Sequence, residues 1–361
     1  MAGRRRRGRK GRNDEILQGV LLVDKPAGQT SRDVCEFVKH RLRLGKVGHG
    51  GTLDPFATGL LPLLLNGATR LMPFLQNEDK VYDAKVRFGI RTDTMDPTGE
   101  VTCRSDASAL DAETVQEVLK GFTGDQVQTI PRFSAARVDG KRLYEYAREG
   151  EEVELPTKEV QIHSIDFAGF RVEGEIADLD IRVHCGAGTY VRALADDLGE
   201  ALGVGGHLAV LRRLKTGALS VDSAITLEAI GDRAASWRDE RDAVEEAEGS
   251  KVRFVPEDNA RRWGEFVGEA LVSVSELLGG IPTLAVPQDL IQRFQGGQPV
   301  RKAELHRMGA GDLRFQAGDR LVLSDPEGVR AIAIVKALCA SESLDRREPS
   351  AIVLQVERVL R

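Results

Sequence analysis

The run Gly48-His49-Gly50-Gly51-Thr52-Leu53-Asp54-Pro55, continued by Phe56-Ala57-Thr58-Gly59, sets one carboxylate between small, flexible residues and a proline. Glycine lets a backbone come close to a ligand, and Pro55 fixes its own φ while holding Asp54 extended. An acid mounted in this way beside a gap has the form of a nucleophile or a general base. The same residues also make ordinary loops, so the run alone does not choose between structure and catalysis. A phosphate-cradling loop would need Ser or Thr after Gly45-Lys46, where Val47 stands. His49 and Asp54 alone offer too few ligands at this spacing for a metal.

Further motifs recur along the chain: Gly67-Ala68-Thr69-Arg70 leading to Asp79-Lys80-Val81-Tyr82, and Phe88-Gly89-Ile90-Arg91-Thr92-Asp93-Thr94-Met95-Asp96 closed by Gly99. Next come Pro131-Arg132-Phe133-Ser134-Ala135 and Gly140-Lys141-Arg142-Leu143-Tyr144-Glu145-Tyr146-Ala147-Arg148. Val183-His184-Cys185-Gly186-Ala187-Gly188-Thr189-Tyr190-Val191-Arg192, then Asp197-Leu198-Gly199, and finally His207 to Leu214 complete the set. In this order and spacing, from about Leu17 to Leu219, the chain resembles the TruB family of tRNA pseudouridine synthases. The resemblance implies isomerisation of a tRNA T-arm uridine, conventionally position 55, with neither cofactor nor metal, because no group is gained or lost. It implies Asp54 as nucleophile, adding to C1′ or C6, with Arg192 as the cation beside it and Asp96 orienting that arginine. A nearby cation is then expected to hold the Asp54 pKa low. Tyr82 matches the tyrosine that stacks on the target base, Tyr190 and Leu211 match pocket-lining residues, and Arg70 stands where a phosphate contact is placed. His49 matches a wedge that fills the space left by a flipped base.

One departure stands out. Where the family has Thr or Ser between the histidine and the next glycine, this chain has Gly50; a softer loop with some loss of rate or affinity is expected. Other readings are a guide-RNA-dependent relative of the dyskerin type, a non-catalytic RNA chaperone, and a glycosidase pairing Asp54 with Asp93 or Asp96. The last leaves His49 and the basic N-terminal arm unexplained.

Elements must hold these residues. Gly19 to Pro26 reads as a buried strand ending in a proline turn. A helix capped by Thr30 or Ser31 follows, with Val34, Phe37, Val38 and Leu42 at helical spacing. Leu60 to Leu65 reads as a central strand, Tyr82 to Phe88 as the next, and Asp111 to Gly121 as a capped amphipathic helix. Gln161 to Phe170 and Leu179 to Cys185 read as strands, and Thr189 to Gly203 as a helix. Without a regular βαβ repeat the fold class is α+β, with a large mixed, mainly antiparallel sheet.

The 361 residues are 30 % charged and 5 % aromatic, with scattered cysteines and no apolar run of membrane-spanning length. A cytoplasmic monomer with no membrane partner and no guide RNA is expected. Arg4, Arg5, Arg6, Arg7, Arg9, Lys10 and Arg12 give residues 1–12 a charge of +7, so the net −5 leaves −12 on the remainder. Such an arm is a solvated tail or a phosphate-binding segment. The domain organisation read here is a basic arm (1–15), a catalytic domain (16–231), a charged helical linker or insertion (232–280) and a small β-rich domain (281–361). The last resembles the RNA-binding PUA-like domain by placement and composition, with strands at Leu321 to Ser324, Ala331 to Val335 and Ile352 to Val356.

Overall fold

The computed structural model of the chain describes residues 17–248, 256–309, 313–326 and 331–359. The expected basic arm, 1–15, lies outside the described residues. Strand β1 (Gly19–Lys25) is buried almost throughout. Helix α1 (Ser31–Arg41) starts at a reciprocal cap: the Asp33 amide donates to the Thr30 hydroxyl and the Thr30 amide to the Asp33 carboxylate. β2 (Val47–His49) and β3 (Thr58–Leu65) flank the glycine-rich run, and short helix α2 (Met72–Gln76) leads to β4 (Lys80–Phe88). β4 alternates buried and half-buried residues, placing Lys80, Tyr82, Ala84, Val86 and Phe88 on one inner face.

A hairpin of β5 (Ile90–Thr92) and β6 (Val101–Arg104) precedes α3 (Ala112–Lys120), capped by Asp111, and β7 (Gly124–Thr129). A small hairpin of β8 (Arg137–Val138) and β9 (Lys141–Arg142) feeds α4 (Leu143–Glu149). The long pair β10 (Thr157–Glu173) and β11 (Ile176–Cys185) is followed by α5 (Val191–Ala201) and β12 (Gly206–Thr216). Helix α5 begins two residues later than its sequence predicts, because extended Tyr190 serves as its cap. Then come β13 (Leu219–Ser220), β14 (Ile225–Thr226), α6 (Leu227–Glu248), α7 (Pro256–Val267) and β15 (Leu271–Val272).

These strands form one sheet in the order β14-β1-β3-β12-β4-β11-β10-β7, with β2, β13 and β15 pairing β3, β12 and β1. Only β1–β14 and β3–β12 are parallel, so the expected α+β class with a mainly antiparallel sheet is what folds. The β3–β12 seam is short, pairing Thr58 with Arg212 and Gly59 with Arg213. At Gly59 φ is +98° and an added Cβ would lie 2.2 Å from the Arg213 carbonyl oxygen, so only glycine lets the two strands meet.

β3 reads as an unbroken apolar run because both its faces are covered. Leu61, Leu63 and Leu65 join the main core under α1 and α5, while Leu60 and Leu64 join a second cluster on the opposite face. That second cluster includes Val322 and Ile334 from a separate C-terminal sheet. The sheet is β16 (Thr283–Ala285), β17 (Val300–Arg301), β18 (Arg320–Ser324), β19 (Ala331–Ala337) and β20 (Ile352–Val359), ordered β16-β18-β19-β20-β17 around its own core. A C-terminal β domain is therefore present. Helix α6 runs through the division drawn at 231/232, and Trp237 and Trp263 sit in the main core with their rings edge-on at 4.7 Å. Charge-rich composition masked this aromatic anchor: Arg233 and Arg262 lie over the Trp237 ring at 4.6 and 5.0 Å. Among the described residues no helix is long and apolar enough to cross a membrane.

Candidate active site

The loop carrying Asp54 is held by side chains that donate to or accept from its backbone. Lys25, fully buried at the end of β1, donates to the carbonyls of Pro55 (3.2 Å) and Ala57 (2.6 Å). The Ser31 hydroxyl accepts from the Leu53 amide and donates to the Leu53 carbonyl, both at 2.9 Å. Buried Arg213 on β12 donates to the carbonyls of Leu60 (2.7 Å), Gly51 (3.2 Å) and Thr52 (3.5 Å). Of the two cap candidates, Thr30 caps α1 and Ser31 turns inward to the loop. Lys25 and Ser31 lie outside the quoted motifs, and Arg213 lies within the last of them with no role assigned to it. The available signal was weak: a lysine closing an apolar strand, and an arginine two residues after Leu211 on the same strand face.

Arg192, the second residue of α5, reaches into the cleft with its Nε 2.9 Å from Asp54 Oδ2 and its Nη2 3.5 Å from Oδ1. Its Nη1 lies 3.5 Å from Asp96 Oδ2 and donates to the Thr94 carbonyl at 2.9 Å; Nη2 also donates to the Phe133 carbonyl at 3.1 Å. Asp96 is buried behind it, its Oδ1 accepting from the Thr94 and Thr98 hydroxyls and the Thr98 amide. Asp54, Arg192 and Asp96 thus form a line, with the Asp54 side chain 32 % exposed at its open end. Burial pushes the Asp54 carboxyl up from the ordinary aspartate range. Arg192 opposes the rise, Asp96 adds to it, and Lys25 pulls weakly down. The expectation of a carboxyl held low is corrected here: the cation is present, but desolvation outweighs it. Lys25 itself is lowered to about 8, chiefly by burial.

Beside Asp54 the cleft is walled by Tyr82, Leu211, Tyr190, Arg192, Arg213, Lys80 and the Gly186–Gly188 turn. Tyr82 pairs across β4–β12 with Arg213, and Leu211 with Ala84, so one sheet face delivers both pocket side chains. Burial raises the Tyr82 and Tyr190 hydroxyls above the ordinary tyrosine range, keeping them as neutral phenols. Lys80, lowered to about 8 by burial, donates to the carbonyls of Gln76 and Glu78. Tyr190 is fixed by Gln128 of β7: the Tyr190 amide donates to Gln128 Oε1 (2.9 Å) and Gln128 Nε2 to the Tyr190 carbonyl (3.2 Å). Gln128, 2 % exposed, was not legible as a site residue. Gln128→Leu should cost about 1–3 kcal/mol in denaturant unfolding by leaving the Tyr190 amide unpaired, since the carbonyl keeps the Leu194 amide as donor, and should misplace the start of α5.

His49 ends β2, opposite Leu63, one residue short of the loop proper. Burial and the Arg213 charge lower its pKa, while the Gly51 backbone pulls weakly the other way, so the ring is a neutral imidazole. Gly50 is not merely a loosened position. A Cβ there would lie 2.9 Å from both Cβ and Cδ1 of Leu75 on α2, so the chain packs against the glycine. Gly50→Thr should lower stability by about 1–3 kcal/mol. With Leu75→Ala added, the double variant should be at least about 1 kcal/mol better than the summed single effects. Additive losses would show that the two positions do not share that space. Arg70 is not brought to the cleft; its Nη1 donates to the Val359 carbonyl of β20 at 3.0 Å.

Residues 39–191 match the N-terminal domain of the TruB family of pseudouridylate synthases, and residues 192–249 match the tRNA pseudouridylate synthase B C-terminal domain. The junction falls between Val191 and Arg192, so Asp54 and its arginine come from different matched segments. A relative called tRNA pseudouridine synthase B from Corynebacterium glutamicum is 46 % identical over 209 residues, covering 58 % of this chain and 70 % of its own. One of the same name from Burkholderia pseudomallei is 39 % identical over 322 residues, covering 87 % of this chain and 95 % of its own. An archaeal box H/ACA Nop10–Cbf5 complex shares the fold at TM-score 0.64 and 23 % identity, over 97 % of this chain and 90 % of that one. The family matches and these relatives make the chain a pseudouridine synthase, an isomerase of RNA uridine. The chain belongs to the TruB family.

Proposed function

We propose that this chain converts the T-arm uridine of tRNA, conventionally position 55, into pseudouridine, acting alone and without guide RNA. The observation that carries this reading is the Asp54 carboxylate, bonded to Arg192 at 2.9 Å and open to a cleft walled by Tyr82, Tyr190 and Leu211. In this reading the uridine is flipped into the cleft, Tyr82 stacks on it, and the neutral His49 ring fills the vacated space in the RNA. Asp54 adds to C1′ or C6, the N1–C1′ bond breaks, and the base turns. C5 then bonds to C1′, the bond to Asp54 breaks and returns the free carboxylate, C5 loses its proton and N1 gains one. The proposed organisation is a catalytic domain over 16–231, a helical segment 232–280 that is packed into its core through Trp237 and Trp263, and a PUA-like RNA-binding domain over 281–361, in a monomer. Arg70, bonded to β20, would present its remaining donors to a backbone phosphate.

The test incubates the purified protein with an unmodified tRNA transcript and maps pseudouridine by carbodiimide labelling and primer extension. One stop at the T-arm uridine, with no guide RNA added, is expected. No product despite tight tRNA binding would overturn the reading in favour of a guide-dependent enzyme or an RNA chaperone. Removal of residues 1–12 should weaken tRNA binding and flatten its log–log salt slope by about 0.7–0.9 for each phosphate that the arm no longer neutralises. An unchanged slope would exclude the arm from the interface.

A further inference from the structure

Asp79, His163 and His184 are more than a hundred positions apart at their extremes, yet the fold gathers them at one place. Asp79 immediately precedes β4, His184 is the penultimate residue of β11, and His163 lies on β10 next to it. The register explains the meeting. β10 pairs Ile162 with Cys185 and then Ser164 with His184, so His163 is an extra residue in a bulge. Bulges re-aim a side chain, and here the His163 and His184 rings come to 4.6 Å between centroids. His163 Nε2 lies 3.1 Å, and His184 Nε2 3.9 Å, from Asp79 Oδ2. The ligand atoms of all three residues fall within 4.8 Å of one another.

We propose that Asp79, His163 and His184 form a binding site for a Zn2+-class divalent cation at the rim of the cleft. Metal–ligand bonds of about 2.0–2.1 Å at tetrahedral angles set ligand atoms about 3.3 Å apart, and the 3.1 and 3.9 Å separations bracket that value. Two imidazoles and one carboxylate suit zinc, cobalt or nickel; magnesium prefers an all-oxygen shell. The three side chains are 29 to 49 % exposed, leaving a fourth position for water or an oxygen ligand. Cys185 does not complete the set: it points into the core, and burial pushes its thiol up to about 11. The sequence offers no metal-ligand spacing here, because strand pairing rather than local repeat makes the site. Asp79 adjoins Lys80, and His184 stands two residues before Gly186, both of which line the cleft. A bound cation therefore ties β10 and β11 to the start of β4, next to the cleft residues Lys80 and Gly186.

The test uses the tag-free full chain, stripped with chelator and titrated with Zn2+ alone by calorimetry, with bound metal counted by mass spectrometry. One equivalent should bind, Co2+ should give the absorption of a low-coordinate site, and Mg2+ at the same concentration should not compete. His163→Ala and His184→Ala should each weaken Zn2+ binding at least about tenfold. Asp79→Asn should do the same, and all three should match the parent chain's unfolding midpoint in chelator. His163→Asn serves if the alanine variant does not fold. Absence of stoichiometric binding, equal affinity in the His163→Ala/His184→Ala double variant, or equal competition by Mg2+ would each overturn the proposal and leave an ordinary Asp79–His163 side-chain contact.

Discussion

Asp54→Asn is expected to lower pseudouridine formation by more than about 10⁴-fold, the scale on which loss of a sole nucleophile acts, while tRNA affinity stays within about threefold. The asparagine keeps the size of the carboxylate and can still accept from Arg192, so the cleft retains its shape. Arg192 keeps Asp96 and the Thr94 and Phe133 carbonyls as partners, so no buried cation is orphaned. The sign of the stability change follows from the raised Asp54 pKa. An aspartate whose folded pKa lies above its unfolded value disfavours folding once it is ionised, so its unfavourable contribution is complete above the folded pKa and absent below the unfolded one. At neutral pH the variant should therefore melt no lower than the parent. Residual turnover near the parent rate would exclude Asp54 as the nucleophile, and a clear drop in melting temperature would show that its carboxylate does not oppose folding.

Arg192→Met is expected to be the most damaging single change to both stability and activity. It leaves Asp54 and Asp96 facing each other without their shared cation, and breaking a buried ion pair from one side costs about 3–5 kcal/mol. Asp54 should then rise further, since the opposing charge is gone and burial remains. With Asp54 as the proposed nucleophile, turnover would need the ionised carboxylate, so the acid limb of the pH–rate profile should move to higher pH and the rate at neutral pH should fall. Arg192→Lys restores the charge without the planar fork that meets Asp54 and Asp96 together, and should recover only part of both effects. Adding Asp54→Asn to Arg192→Met should return part of the lost stability, read by denaturant unfolding of the single and double variants. An acid limb that stays in place in Arg192→Met would separate the arginine from the ionisation of Asp54.

The sequence made the class of the fold and the heart of the site legible for different reasons. β1, α1, β3, β4 and α3 were readable because each carries its own signal: an apolar run, a Thr or Ser cap before helical spacing, strict alternation, an Asp cap before a helical stripe. Asp54 stood out through its neighbours, whereas Arg192, Asp96, Tyr82, Tyr190 and Leu211 were legible only through the resemblance. Lys25, Ser31, Gln128 and Arg213 act through strand order, and no local pattern shows that β12 lies between β3 and β4. Ser31, for example, looks like a cap until Leu53 is seen to lie beside it. The upward shift of Asp54 depends on how deeply Arg192 and Asp96 are enclosed with it, which residue types do not report. From the sequence Gly50 reads as a softened loop; only the position of Leu75 shows that the glycine is packed against.

The C-terminal sheet is usefully considered as a lid on the back of the catalytic sheet. Val322 and Ile334 cover the face of β1 and β3 formed by Val20, Leu22, Leu60 and Leu64, and Arg320 lies over the Phe74 ring at 5.0 Å. Cutting the chain near residue 280 would not free a self-sufficient catalytic half. It would expose a strip of aliphatic side chains along the paired strands β1 and β3, and adhesion between such strips would compete with folding. In this molecule, then, a shortened chain is expected to fail by clumping before it fails by chemistry.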